Sequence, residues 1–566
     1  MRILQTHADW IEFEPLKKEI KQAEEIEKKK QEFKDIVVLF TSIESGDTEA
    51  VARKAIGDVK EFLGKIKINK ILIYPFAHLS QDLAKPDVAM KILSAMEAEA
   101  NKNEIEVHRA PFGWNKKLSI SVKGHPLAEQ SRVYGGSETT VKKKIHHHED
   151  RGKITLDRRN LPPNDHRILG EELGIFYFSE DVGAGLPLWL PNGETLKNLL
   201  INFMRRIEEK YGYKYVSTPH IARGAIFEKT GHLPYYKDSM YAPIEIEGDE
   251  YYLKPMNCPH HHMIFSKIVE SYRNLPLRLA EAGMTYRFEL SGVTYGLIRV
   301  KCFTQNDSHI YVTPSQLKEE FGRVLDLFKE VYEVMGIKDY WFRLSLPDFK
   351  NNPEKYTGDP KEWGYACDEI RKVMQESGMK FVEESGEAAF YGPKIDVQIK
   401  NALGKEETIA TSQVDIVVPK RLGLFYIDDK GEKKIPIVIH RAILGSYERF
   451  IAYLLEQTEG KLPVWLAPVQ VRVLPITDGN KDYAHTVLGK LRKNGIRAEI
   501  DEESRTIQYK IRDAQLKKIP LMVIVGGKEE EKGTIAVRNR DSGKTEYDLQ
   551  PQDLIDRIEE DVKNYK

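Results

Sequence analysis

The stretch IHRAILGSYERF, residues 439–450, reads as the end of a strand that passes through a run of small residues into the opening turn of a helix, where Arg449 stands. Upstream, TYRFEL (285–290) alternates so that Arg287 and Glu289 fall on one face of a strand. An Arg-x-Glu is ordinarily a surface ion pair, and neither stretch says much alone. The rest of the chain gives them weight. It has no glycine-rich loop ending in Gly-Lys-Ser/Thr and no kinase signature, so if it uses a nucleotide, arginines must hold the phosphates.

The composition sets outer limits. Of 566 residues, 41% are hydrophobic and 31% charged, enough apolar material for several cores, which excludes a disordered or low-complexity protein. Lysine plus arginine (86) balance aspartate plus glutamate (87), so an RNA-binding surface would have to be a local patch. No apolar run approaches the ~18 residues of a membrane-spanning helix. The opening MRILQTHADW lacks the build of a signal peptide, and Cys258, Cys302 and Cys367 cannot make a disulfide framework. The expectation is a cytoplasmic, multidomain protein with no membrane partner.

Outward from these stretches the chain falls into four segments: 1–140, a linker 141–165, 166–462 and 463–566. In the first, strands at 2–13, 36–43, 71–80, 105–110 and 117–123 interleave with helices at 47–64 and 86–100, which indicates an α/β or α+β unit. The charge run Lys17–Lys34 reads as a solvated helix or an insertion. His146, His147 and His148 lie in the polar linker, where three adjacent histidines cannot all face one ion on regular backbone. The last segment runs strand (469–476), helix (481–494), strand (496–500), helix (504–518), strands (521–527, 534–540) and helix (550–564), a small sheet with parallel strands. Its stretch 490–518 carries Lys490, Arg492, Lys493, Arg497, Arg505, Lys510, Arg512, Lys517 and Lys518, either an RNA phosphate track or solvated helix faces.

Taken together, the motifs carry a resemblance. Arg287-Phe288-Glu289 resembles motif 2 of the class II aminoacyl-tRNA synthetases, AILGSYER (442–449) motif 3, and YGYKYVSTP (211–219) motif 1. LKPMNCP (253–259), LIRVKCFTQNDSH (297–309), AAFYGPKID (388–396) and ATSQVDI (410–416) narrow it to the threonyl-tRNA synthetases, from about residue 166 to the C-terminus. The resemblance implies an antiparallel-sheet class II catalytic core and a C-terminal α/β anticodon-binding domain. It also implies ATP-dependent joining of L-threonine to its tRNA through an adenylate, and a homodimer joined through motif 1. Arg287 would hold the α-phosphate and the threonine carboxylate, Arg449 the γ-phosphate, and Arg299 would add positive charge. Glu289 would lie near adenine, with Gln413 and Ser446 lining the site and Mg2+ accompanying ATP. Gln305, Asp307 and Tyr391 match contacts to threonine's amine and hydroxyl.

Cys258, His309 and His440 match the family's zinc ligands, although no spacing rule would assemble them. Three protein ligands with an open position describe a substrate-binding zinc site. A site that demands a hydroxyl rejects isosteric valine by ~10⁴ or more, whereas serine lacks only a methyl, worth ~1–3 kcal/mol, so an editing site is expected. MRILQTHADWIEFE, YPFAHLSQDLAKP (74–86) and SVKGHPLAEQSR (121–132) resemble the archaeal-type editing module, related to D-aminoacyl-tRNA deacylases, with Lys123 and His78 in catalytic positions and His125 structural. Glu529 and Arg538 match anticodon-reading positions. The chain departs from the family pattern at His260, Asn306, Cys302, Thr408 and Ser504, none of them a zinc ligand or motif arginine. Two other readings stand beside this one: a synthetase-like RNA-binding protein without catalysis, and a class II enzyme for serine or proline.

Overall fold

The computed structural model describes residues 1–566 except 21, 81, 124–127, 135–155, 157, 160, 291 and 402–403, and at 78 and 235 the backbone alone. His125, His146, His147, His148 and most of the linker 141–165 lie outside the described residues. The chain divides into two compact units, Met1–His147 and His148–Lys566.

The first unit is built on a mixed sheet in the order Glu106–Arg109, Lys70–Pro75, Gln31–Ser42, Arg2–Lys18, Trp114–Val122, with Glu129–Val133 also pairing with Arg2–Lys18. Strand alternation divides two cores between its faces. Val37, Leu39, Ile71 and Ile73 meet the apolar stripes of helices Glu49–Ile66 and Pro86–Lys102. Val38, Phe40, Leu72 and Tyr74 pack on the other side with Ile11 and Phe13. The charge run forms no helix. The first strand extends to Lys18, the described residues among 19–30 have no regular structure, and the next strand begins at Gln31, because the register Ile11↔Phe33 and Phe13↔Gln31 ties both flanks into the ladder. Helical ion pairs worth ~0.2–0.5 kcal/mol each do not outweigh that pairing.

The second unit centres on an eight-stranded sheet in the order Phe381–Ser385, Trp341–Leu346, Lys394–Lys400, Glu406–Asp415, Ile437–Ala442, Cys302–Val312, Leu277–Tyr286, Lys214–Tyr215. It is antiparallel except at its two edge pairings. Helices Pro191–Lys210, Leu317–Val334 and Tyr447–Thr458 bury their apolar residues in its main core. Arg287 lies beyond the strand end at Tyr286, so strand alternation does not put Arg287 and Glu289 on one face; Glu289 instead accepts from Arg299 at 2.8 Å.

The C-terminal sheet runs Ala498–Ile500, Val471–Pro475, Leu521–Val525, Ile535–Asn539, Thr545–Leu549. The first three strands are parallel; the last two pair antiparallel, one of them, Thr545–Leu549, not foreseen from the sequence.

Candidate functional site

The strand Cys302–Val312 sets the frame. Its register places Gln305, Asp307 and His309 two residues apart, on one face, while Asn306 on the other face donates to the buried Glu208 at 3.0 Å. The neighbouring strands bring His440 opposite His309 and Gln413 opposite His440. The next helix starts beside them, with Ser446 as its N-cap accepting from the Arg449 N–H at 3.2 Å. Gly445, at φ +61°, precedes this cap; a Cβ there would lie 2.1 Å from the Ile409 carbonyl oxygen, so no larger side chain fits.

These elements enclose a cavity of about 640 Å³. Cys258, Arg287, Glu289, Arg299, Gln305, Asp307, His309, Tyr391, Gln413, His440, Ser446 and Arg449 all line it, although they come from positions spread over 192 residues. Tyr236, Met256, Lys355 and Lys394 also line it; among so many surface lysines no pattern marked them. The arginines are braced without being neutralised in full. Arg449 donates to the carbonyls of Ile298 and Thr408, both at 3.0 Å, and Arg287 stacks 5.1 Å from the Phe303 ring centre. Tyr391 donates its hydroxyl to the Gln413 side-chain oxygen.

Cys258, His309 and His440 each offer a ligand atom, all within 4.8 Å of one another. His440 Nε2 donates to Asp415 at 3.1 Å, which leaves its Nδ1 lone pair. His261 Nε2 donates to Glu281 at 3.1 Å, so its Nδ1 accepts from His309 Nδ1 at 2.8 Å, leaving the His309 Nε2 lone pair. A carboxylate thus orients His440 directly, and another orients His309 through His261, the usual kind of support for metal-bound histidine. Burial holds His309 well below the ordinary histidine range, hence neutral, and pushes the Cys258 thiol well above the ordinary thiol range. One sulfur and two imidazoles with a side open to the cavity are the donor set that zinc takes in substrate-binding sites, and a cation would offset the cost of the buried thiolate.

The first unit has a cavity of its own, about 420 Å³, walled mostly by apolar side chains such as Ile43, Phe76, Leu83, Leu93 and Leu118. Lys123 does not line it. Its ammonium pairs with Asp9 at 2.7 Å and Asp35 at 3.0 Å. The lysine in the wall is Lys116, which the sequence reading passed over. It donates to the carbonyls of Pro111 (2.9 Å) and Trp114 (3.1 Å), lies 4.9 Å from the Tyr74 ring centre, and is pushed down to about 8 by burial. No local signal separates Lys116 from Lys117 beside it; only packing buries one and exposes the other. The backbone of His78 lies in the turn Ala77–Leu79, whose first residue is in the cavity wall.

In the C-terminal sheet region, Glu529 accepts from the Gly526 N–H at 2.9 Å and Arg538 donates to Thr545 at 3.2 Å. Several residues of the basic stretch serve the fold instead of a free surface. Arg497 donates to the carbonyls of Val464, Trp465 and Ala467, Lys510 to those of Pro475 and Asp501, and Lys517 to that of Glu172. No helix among the described residues is long and apolar enough to cross a membrane.

Comparison with known proteins adds three family matches: residues 1–134 to the archaea-specific editing domain of threonyl-tRNA synthetase, 241–458 to the class II tRNA synthetase core domain (G, H, P, S and T), and 470–561 to an anticodon binding domain. A threonine–tRNA ligase from Oceanobacillus iheyensis is 43% identical over 436 residues, 77% of this chain and 66% of that protein. One from Listeria welshimeri is 46% identical over 390 residues, 69% of this chain and 61% of that protein. The chain therefore spans 66% and 61% of the length of these curated relatives. A crystal structure titled as the RNA binding domain of threonyl-tRNA synthetase from Cryptosporidium parvum Iowa II is 36% identical with a TM-score of 0.66, covering 70% of this chain and 98% of that one.

Proposed function

The chain belongs to the threonyl-tRNA synthetase family, and we propose that it joins L-threonine to threonine tRNA through an adenylate and hydrolyses the seryl ester formed by error. The observation that carries this reading is the convergence on one cavity of every core residue expected to serve the ligation. We assign the segments 1–140, 166–462 and 463–566 to editing, ligation and anticodon binding, with 141–165 as the linker between the first two.

In the ligation site, an oxygen of the threonine carboxylate attacks the α-phosphorus of ATP and pyrophosphate leaves. The 3′-terminal ribose hydroxyl of the tRNA then attacks the activated carbonyl and AMP leaves. Placement and charge neutralisation carry such a reaction. Arg287 neutralises the α-phosphate and the attacking carboxylate, Arg449 the γ-phosphate, and Arg299 adds charge beside them, with Mg2+ accompanying ATP. Glu289, Gln413 and Ser446 shape the nucleotide side; Gln305, Asp307 and Tyr391 receive threonine's amine and hydroxyl. Cys258, His309 and His440 would hold zinc, which when bound supplies a Lewis acid that takes up an amine together with a hydroxyl and so disfavours valine.

For editing, the apolar cavity of the first unit supports hydrolysis of a small aminoacyl ester by an oriented water, with the Lys116 ammonium as the charge beside a developing oxyanion. This reading moves the role from Lys123 to Lys116. Glu529 and Arg538 are proposed anticodon contacts, the working form a homodimer, and the setting the cytoplasm. The test measures threonine-dependent ATP–pyrophosphate exchange and deacylation of serine-charged threonine tRNA. Arg449→Ala is expected to lower exchange by roughly 10²-fold and leave deacylation intact. Serine is expected to support weaker exchange than threonine; exchange driven better by any other amino acid than by threonine, or no exchange with threonine, overturns the reading.

A further inference from the structure

The loop 295–299 supplies both Arg299 and the Ile298 carbonyl that holds Arg449, so its position fixes two of the four arginines that line the ligation cavity. The loop closes on itself through the backbone bridge between Tyr295 and Arg299, and as a unit it is held from behind. Its anchor is His166, fully buried at the start of helix His166–Glu172 and outside the cavity. His166 Nε2 accepts the Leu297 backbone N–H at 3.2 Å. A ring nitrogen that accepts carries no proton, so Nδ1 is the donor, and it donates to Glu456 at 2.7 Å. Glu456 belongs to Tyr447–Thr458, the helix whose first turn carries Arg449.

The fit is close. Gly296 has φ +46°, and a Cβ there would stand 2.0 Å from His166 Nε2 and 2.9 Å from Arg167 Cγ. Next to it, Arg167, itself paired with Asp165 at 2.8 Å, stacks 4.3 Å from the Tyr295 ring centre and donates to the Tyr295 hydroxyl at 3.0 Å. Both ring nitrogens of His166 are occupied by protein partners, so although Asp165, His166 and Glu456 are close enough to hold a cation, hydrogen bonding already accounts for them.

We propose that His166, with Gly296 seated against it, is a positioning residue for triphosphate binding: it locks the loop 295–299 to the Arg449 helix so that Arg299 and Arg449 meet the phosphates pre-arranged. The inference rests on the ligation reading above and deepens it by assigning a residue that touches no substrate.

The two hydrogen bonds separate in conservative variants. The side-chain oxygen of glutamine reaches the place of Nε2 and can accept the Leu297 N–H, whereas asparagine reaches only the place of Nδ1. The full chain, as His166→Gln, His166→Asn and Gly296→Ala, is assayed by ATP–pyrophosphate exchange with ATP and threonine varied separately, and by calorimetric titration with MgATP. His166→Asn and Gly296→Ala are expected to raise the KM and the calorimetric Kd for ATP about tenfold or more while the KM for threonine stays within about twofold. His166→Gln is expected to restore most of the ATP affinity. An unchanged ATP KM and Kd in His166→Asn, or equal weakening of ATP and threonine, overturns the assignment even if the melting temperature falls. A wild-type chain with no exchange at all overturns the ligation reading and this inference with it. Wild-type exchange combined with unchanged ATP binding in the variants overturns this inference alone.

Discussion

Cys258, His309 and His440 illustrate what one residue contributes and what it costs. Burial keeps the His309 imidazole neutral, with a lone pair to offer, whereas it pushes the Cys258 thiol up, so that thiol must lose its proton to ligate. Cys258→Ala is expected to lower bound zinc from about one per chain to below about a tenth, read by metal analysis of the purified protein, and to abolish exchange with it. Lys116 makes a sharper pH prediction. Its ammonium is present below about 8 and lost above it. Enzyme-dependent seryl ester hydrolysis, after subtraction of the hydroxide-driven background, is therefore expected to fall as pH rises through about 8. Lys116→Ala should abolish it, whereas Lys123→Ala should change it by no more than a few-fold. Loss of activity in Lys123→Ala alone would return the role to the ion-paired lysine.

Individual elements carry the ligation site through register and capping. The alternation of Cys302–Val312 delivers Gln305, Asp307 and His309 to the cavity, and the opposite face is anchored by a fully buried ion pair, Arg441 to Glu208 at 2.5 Å. Arg441→Met leaves the Glu208 charge uncompensated in the core and should cost about 3–5 kcal/mol, measured as a fall in the denaturant midpoint. Ser446→Ala removes the cap of the helix that starts beside Arg449. The expected cost is about 1 kcal/mol, small enough for the protein to remain folded while exchange is compared.

Across the whole molecule, the two cavities belong to separate compact units. Their chemistries should therefore be lost independently. A zinc chelator is expected to suppress ATP–pyrophosphate exchange and to leave seryl ester hydrolysis unchanged. Conversely, a chain of residues 1–147 has sheet, helices and two cores of its own and should hydrolyse the ester without the rest. Within the second unit, Arg497 ties the C-terminal sheet to the carbonyls of Val464, Trp465 and Ala467, so a stretch that reads as RNA-binding charge also serves as an internal clasp.

How much was legible follows from which forces are local. Strand and helix periodicity and the strand-to-helix passage at 439–450 could be read directly, because side-chain pattern is local; the motif arginines and the candidate zinc set Cys258, His309 and His440 were legible only through the family resemblance, since no spacing rule assembles them. The sequence by itself determined the family, the three-part plan and the residues that crowd the ligation cavity. The tertiary structure alone decided the rest. Long-range strand pairing drew both ends of the charged run at 17–34 into strands, where the sequence left a solvated helix or an insertion open. Burial, a sum over neighbours distant in sequence, set Lys116 apart from Lys117 and Lys123. The contact between His166 and Gly296, 130 residues apart, exists only because folding closes that distance, and no local pattern announces such a pair.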